Sequence, residues 1–158
     1  MRCQANHEIF VNETCYLKAV NKYKVFANIQ ADIVKEITEL TVTLRSYTRL
    51  NGWKPWIIAG TMDICSILAG KFNPIFKMVK NVLNKTTNIN HTCPYSGRII
   101  GKNMELEHLN FGGSILPRGI YRFVFTGYRE VFYFNLTLDF EVVKKSSSLS
   151  TYRNNICF

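Results

Sequence analysis

Phe132-Tyr133-Phe134-Asn135-Leu136-Thr137-Leu138-Asp139-Phe140-Glu141-Val142 is the stretch that decides the fold. Phe132, Phe134, Leu136, Leu138, Phe140 and Val142 stand at every second position, and Tyr133, Asn135, Thr137, Asp139 and Glu141 alternate with them. Strand side chains point to opposite faces in turn, so this period of two describes a strand with one apolar and one polar face. Burying six such side chains contributes on the order of 10 kcal/mol before chain entropy is set against it. Asn135-Leu136-Thr137 is also a glycosylation sequon, and Asn135 falls on the polar face, where a glycan has room.

Working outward, the same alternation recurs. Val25, Ala27, Ile29, Ala31 and Ile33 share a face, and Leu40, Val42 and Leu44 share another. Asn51-Gly52 supplies a hairpin turn, because both residues tolerate positive φ. Trp53 to Cys65 reads as the returning strand, in which Pro55 demands an edge or a bulge. Further strands are expected near 98–107, 120–128 and 131–143. One helix is expected from Asn73 to about Asn84, with Asn73 as its cap, Pro74 in its first turn, and an apolar stripe of Ile75, Val79, Val82 and Leu83. Residues 144–158 open on Lys144-Lys145-Ser146-Ser147-Ser148 and read as a polar tail. The expectation is one domain over 1–143: mostly β, an antiparallel β-sandwich with one short helix between strands.

The chain has 158 residues, 20 Lys+Arg and 11 Asp+Glu, a formal net charge of +9. The excess is spread along the chain, with no basic run longer than Lys144-Lys145, whereas nucleic-acid binders concentrate charge on one face. Nucleic acid is therefore not an expected partner. Five cysteines, Cys3, Cys15, Cys65, Cys93 and Cys157, form no Cys-x-x-Cys pair, which argues against zinc and thioredoxin-like chemistry. Cys65 and Cys93 flank the expected helix at a separation suited to a bridge, and Cys3 with Cys15 closes a smaller loop. Five cysteines allow fifteen two-bridge patterns, and Cys3–Cys157 competes with Cys3–Cys15. Four sequons begin at Asn12, Asn84, Asn90 and Asn135. Met1-Arg2-Cys3-Gln4 carries no apolar leader, yet cysteines and sequons together point to a secreted protein whose leader lies upstream.

Catalysis finds little support. His7, His91 and His108 lack a Ser or Cys in a nucleophile motif, and the Asp139/Glu141 pair shares the solvated face of Asn135. No enzyme activity, cofactor or metal is expected. The apolar stripes are instead candidates for a ligand cavity: Leu40, Val42, Leu44, Trp56, Ile58, Tyr121, Phe123, Phe125, Phe132, Phe134, Leu136, Leu138 and Phe140. Such stripes more often pack solid, so core and cavity remain alternatives.

A set of short motifs carries a resemblance: Cys15-Tyr16-Leu17-Lys18-Ala19-Val20-Asn21-Lys22, Leu50-Asn51-Gly52-Trp53-Lys54-Pro55-Trp56, Met62-Asp63-Ile64-Cys65-Ser66-Ile67-Leu68, Asn90-His91-Thr92-Cys93-Pro94-Tyr95 and Leu116-Pro117-Arg118-Gly119-Ile120-Tyr121. Over residues 15–143 the chain resembles a large insect family of small secreted proteins of unknown function, related to ML lipid-recognition domains and CheB-type chemosensory proteins. The family usually has Asn-Arg where this chain has Asn21-Lys22, and Cys157 lies outside its pattern. The resemblance implies an immunoglobulin-like, ML-type sandwich whose sheets part to hold a lipid or other small apolar ligand, in chemosensation or lipid handling. It carries over no catalytic residue. The partners it implies are that ligand and a membrane receptor, with the protein itself a monomer. The rival expectation is an extracellular interaction module with a solid core.

Overall fold

The computed structural model describes residues 1–21, 24–70, 84–105, 117–144 and 150–153. Among them the chain forms strands β1 (Arg2–Ala5), β2 (Phe10–Asn21), β3 (Lys24–Ile37), β4 (Thr41–Leu50) and β5 (Gly52–Asp63), then helix α1 (Ile64–Leu68). Strands β6 (Tyr95–Glu105), β7 (Gly119–Tyr128), β8 (Phe132–Lys144) and β9 (Ser150–Arg153) follow. A large sheet runs β1-β8-β7-β4-β5, with β9 also paired to β8, and a small sheet runs β2-β3-β6. Every pairing among these strands is antiparallel, and the architecture is a β-sandwich.

The expected alternations hold along β3, β4 and β7, where Val25, Ala27, Ile33, Val42, Leu44, Tyr121 and Phe123 are all buried. Asn51 forms the expected hairpin corner, with Gly52 at φ 104°. Pro55 lies on β5, an edge strand, beside a bulge in which residues 56–58 stand opposite Ser46 alone. Both conditions that a strand proline needs are met together.

The decisive strand departs from its pattern at one end. Gly127 pairs with Phe134 but Tyr128 pairs with Phe132, so Tyr133 is an extra residue on β8. A bulge of this kind reverses the facing of whatever precedes it. Tyr133 accordingly turns inward and is 8% exposed, while Phe132 is 43% exposed. Phe132 therefore does not line the interior.

Three further boundaries differ. The strand expected to reach Cys65 stops at Asp63, whose carboxylate caps α1 by accepting from the Ser66 N–H (3.1 Å) and hydroxyl (2.7 Å). Strand β6 starts at Tyr95, which pairs with Ile37, rather than near Arg98. Within 144–158, Ser150–Arg153 adds a ladder to β8 from Glu141 to Lys144, so strand pairing extends past Val143. The expected helix from Asn73 lies almost wholly outside the described residues, as does Cys157.

Two disulfides tie the sheets together at their lateral edges. Cys3 on β1 joins Cys15 on β2, with Cα atoms 6.3 Å apart. Cys65 on α1, just after β5, joins Cys93, just before β6, at 5.4 Å. Strands β1 and β5 border the large sheet, and β2 and β6 border the small one. Each bridge thus fastens one open side of the sandwich.

Candidate functional site

The interior divides along the strand direction. One cluster joins Ile9, Phe10, Ile33, Ile37, Tyr95 and Tyr133, with Leu40, Leu68, Cys93 and Phe134 packed against it. These residues come from both sheets and from α1, so this cluster holds the sandwich together at the Cys65–Cys93 end. Phe10 and Phe134 meet edge to face across it, centroids 6.3 Å apart. The Tyr95 ring stacks on His91 at 4.4 Å and its hydroxyl donates to the His91 carbonyl.

The second cluster comprises Leu44, Tyr121, Phe123, Leu138 and Val142, with Met1, Trp56, Ile58, Phe125, Leu136 and Phe140 against it. Apart from Met1, all these members stand on β4, β5, β7 and β8 of the large sheet. Nine of the thirteen cavity candidates fall here. Leu40 and Phe134 belong to the first cluster, Val42 is buried on β4, and Phe132 faces out. The aromatic rings are mutually oriented: Tyr121 lies 6.0 Å from Phe140 and 5.8 Å from Trp56, and Phe123 meets Phe140 edge to face at 5.1 Å.

Local sequence explains how this face is furnished. Beyond Leu44, the inward positions of β4 become Ser46 and Thr48, both buried. The Ser46 hydroxyl donates to the Ile58 carbonyl at 2.5 Å, occupying an oxygen that the β5 bulge removes from the ladder. The bulge turns Trp56 and Ile58 towards the cluster and leaves Ile57 77% exposed. The Tyr121 hydroxyl donates to the Pro117 carbonyl at 2.8 Å, and burial pushes its pKa up, keeping it neutral. The indole N–H of Trp56 is buried and has no acceptor among the described residues.

The outer face of the large sheet is polar, as the alternation of β8 requires. Arg122 forks onto Asp139 at 2.6 and 2.8 Å and lies over the Trp53 ring at 4.0 Å. Asp139 is thus engaged by a cation. Asn135, on the same face, is half-buried and accepts from the Thr137 hydroxyl at 3.4 Å. Asn12 is exposed, in a left-handed conformation (φ 54°), and its amide donates to Asp32 at 2.9 Å. Asn84 and Asn90 are exposed. His7 approaches Glu13 at 3.4 Å, and His108 lies outside the described residues. Among the described residues no three His, Cys, Asp or Glu side chains gather as a metal site. No helix of these residues is long and apolar enough to cross a membrane.

Sequence reasoning missed Ile9, Phe10, Ile37, Tyr95 and Tyr133. Ile37 continues the odd-numbered stripe of β3 past Lys35, which was the available signal. Tyr133 depends on a bulge that nothing in its neighbours announces.

Comparison with known proteins gives one family model, described as a protein of unknown function, DUF1091, which matches residues 38–123. The matched segment runs from β4 through α1 and β6 into β7. No curated protein matches the chain.

Proposed function

The chain belongs to DUF1091, a family of proteins of unknown function, and from its geometry we propose a secreted binding protein that holds a small apolar ligand between its two sheets. The observation that carries this reading is the division of the core. At the Cys65–Cys93 end both sheets contribute to one cluster, whereas the described side chains of the second cluster come from the large sheet and Met1. Trp56, Ile58, Phe125, Leu136 and Phe140 are only part-buried there. On β3, Ala27 is buried without joining either cluster among the described residues, and its methyl group fills little space. Apolar walls with a few polar groups are the usual furnishing of a small-molecule site. The two disulfides and the exposed sequons at Asn12, Asn84 and Asn90 support an oxidising, secretory route. The resemblance to ML and CheB-type proteins supports the same reading, including a role in chemosensation or lipid handling.

One observation favours a second reading, an extracellular interaction module. Leu50 is 71% exposed at the β4–β5 corner and Ile57 77% exposed at the β5 bulge, where a protein partner would find apolar contact. Solvent extraction and mass spectrometry of protein from a secretory host, with thermal unfolding against fatty acids and hydrocarbons, distinguishes the two. A co-purifying apolar molecule and a raised midpoint support the carrier. Repeated emptiness with an unmoved midpoint across the panel overturns it and leaves the module.

A further inference from the structure

We propose that the ligand carries a carbonyl or carboxyl oxygen, and that the Trp56 indole N–H receives it. The inference rests on the ligand-holding reading above and adds the ligand's chemical class. Trp56 enters the second cluster because the three-residue bulge at 56–58, next to Pro55, turns it inward from an edge strand. Three hydroxyls on this face are committed: Ser46 to the Ile58 carbonyl, Thr48 to the Ile120 carbonyl and Tyr121 to the Pro117 carbonyl. The Trp56 N–H alone among these donors is buried with no acceptor among the described residues. A donor withdrawn from water without a partner is a standing cost that folded proteins rarely retain. An indole N–H donates only, so its complement is an acceptor and not a hydroxyl hydrogen or an ammonium. A purely hydrocarbon ligand would fill the apolar walls and leave that donor unsatisfied. An elongated ketone, ester or fatty acid fills the walls and completes it.

The test compares tridecane, 2-tridecanone and tridecanoic acid, delivered from cyclodextrin, on wild type and Trp56→Phe. Wild type is expected to bind the ketone roughly five- to tenfold tighter than the alkane, the span of one net hydrogen bond. In Trp56→Phe the ketone should lose its advantage over the alkane, whichever way the smaller ring moves the alkane affinity itself. Tridecanoic acid separates a carboxylate from a neutral carbonyl: a preference as large as the ketone's, also lost in Trp56→Phe, extends the assignment to acids. The protein has two tryptophans, so an indole ¹H–¹⁵N spectrum of wild type gives a readout that needs no variant. The Trp56 signal, told from that of Trp53 by Trp53→Phe, should move downfield with the ketone and not with the alkane. Equal affinity for ketone and alkane, or a preference that survives in Trp56→Phe, or an indole signal that ignores the ketone, overturns the assignment while leaving the ligand between the sheets. Binding of none of the three removes the ligand-holding reading itself.

Discussion

Phe134 lies flat over Gly127: a Cβ built on that glycine would stand 2.3 Å from Cε1 of the ring. The two residues are cross-strand partners on β7 and β8, one step from the Tyr133 bulge. On its far side the ring meets Phe10 edge to face. The glycine is therefore the floor on which the inter-sheet contact is laid. Gly127→Ala is expected to destabilise by about 1–3 kcal/mol, because the ring must leave its position against Phe10. In a Phe134→Leu background the same alanine should cost markedly less. Urea unfolding of the four proteins of this cycle gives the coupling, and simple additivity would contradict the stacking.

The two clusters should answer truncation differently. Phe10→Ala removes a ring held by both sheets and should cost about 3–5 kcal/mol. Phe125→Ala removes a part-buried ring with fewer partners to lose, and in ligand-free protein should cost visibly less. A saturating ligand at about 100 times its Kd adds about 2.7 kcal/mol to wild type, and Phe125→Ala should shrink that gain. Equal losses at the two sites, measured by denaturant unfolding, would mean a uniformly packed interior.

The bridges should differ in worth by their loop lengths. Cys65 and Cys93 are separated by 28 residues and Cys3 and Cys15 by 12. In the chain-entropy account these correspond to about 3.6 and about 3 kcal/mol. Replacing each pair by serine should lower stability in that order. Peptide mapping without reductant should recover both linked pairs from wild type.

Asp32 gives the fold a pH dependence of known sign. Its carboxylate accepts from Arg98 at 2.7 Å and from Asn12 at 2.9 Å, and these bonds, the arginine's first, hold its pKa below the ordinary 3.8. A depressed folded value means that the stabilisation is complete above the unfolded value and fades as pH falls through the folded one. Thermal midpoints of wild type and Asp32→Asn should differ at neutral pH and converge below pH 3.8. A gap that persists into stronger acid would show that shape, not charge, carries the effect.

Much of the fold was written in periods of two. Val25 to Ile33, Leu40 to Leu44 and Phe134 to Val142 alternate cleanly, and each became an inward face. Pro55 called for an edge or a bulge, since a residue without an N–H has few other places in a sheet, and the fold gives it both. Spacing favoured Cys65–Cys93 and, less firmly, Cys3–Cys15, while Cys3–Cys157 stayed open until the fold set Cys3 beside Cys15. The hidden parts were those set by tertiary register. Tyr133 is apolar enough for either face, and only the pairing of Tyr128 with Phe132 decides which one it takes. The division of the cavity candidates was equally invisible: Leu40 and Phe134 look no different in sequence from Leu44 and Phe140. Nor could sequence show that the Trp56 N–H is stranded, because a missing acceptor is a property of three-dimensional neighbours.

The two disulfides also define an axis. Cys65–Cys93 stands on the β5/β6 side at one end, while Cys3, opposite Leu136 of β8, stands part-way along the β1/β2 side. A line through both bridges crosses the sandwich on the diagonal. With strands about 4.8 Å apart and about 3.3 Å per residue, the β4–β5 hairpin corner at Asn51 lies farthest from it, roughly 25 Å away. A rotation of the sheets by about 5° about that line parts them by about 2 Å at this corner and scarcely at all along the diagonal. Any breathing the bridges permit is therefore greatest over the Trp56 side of the sandwich, like the free corner of a page bound along a slant.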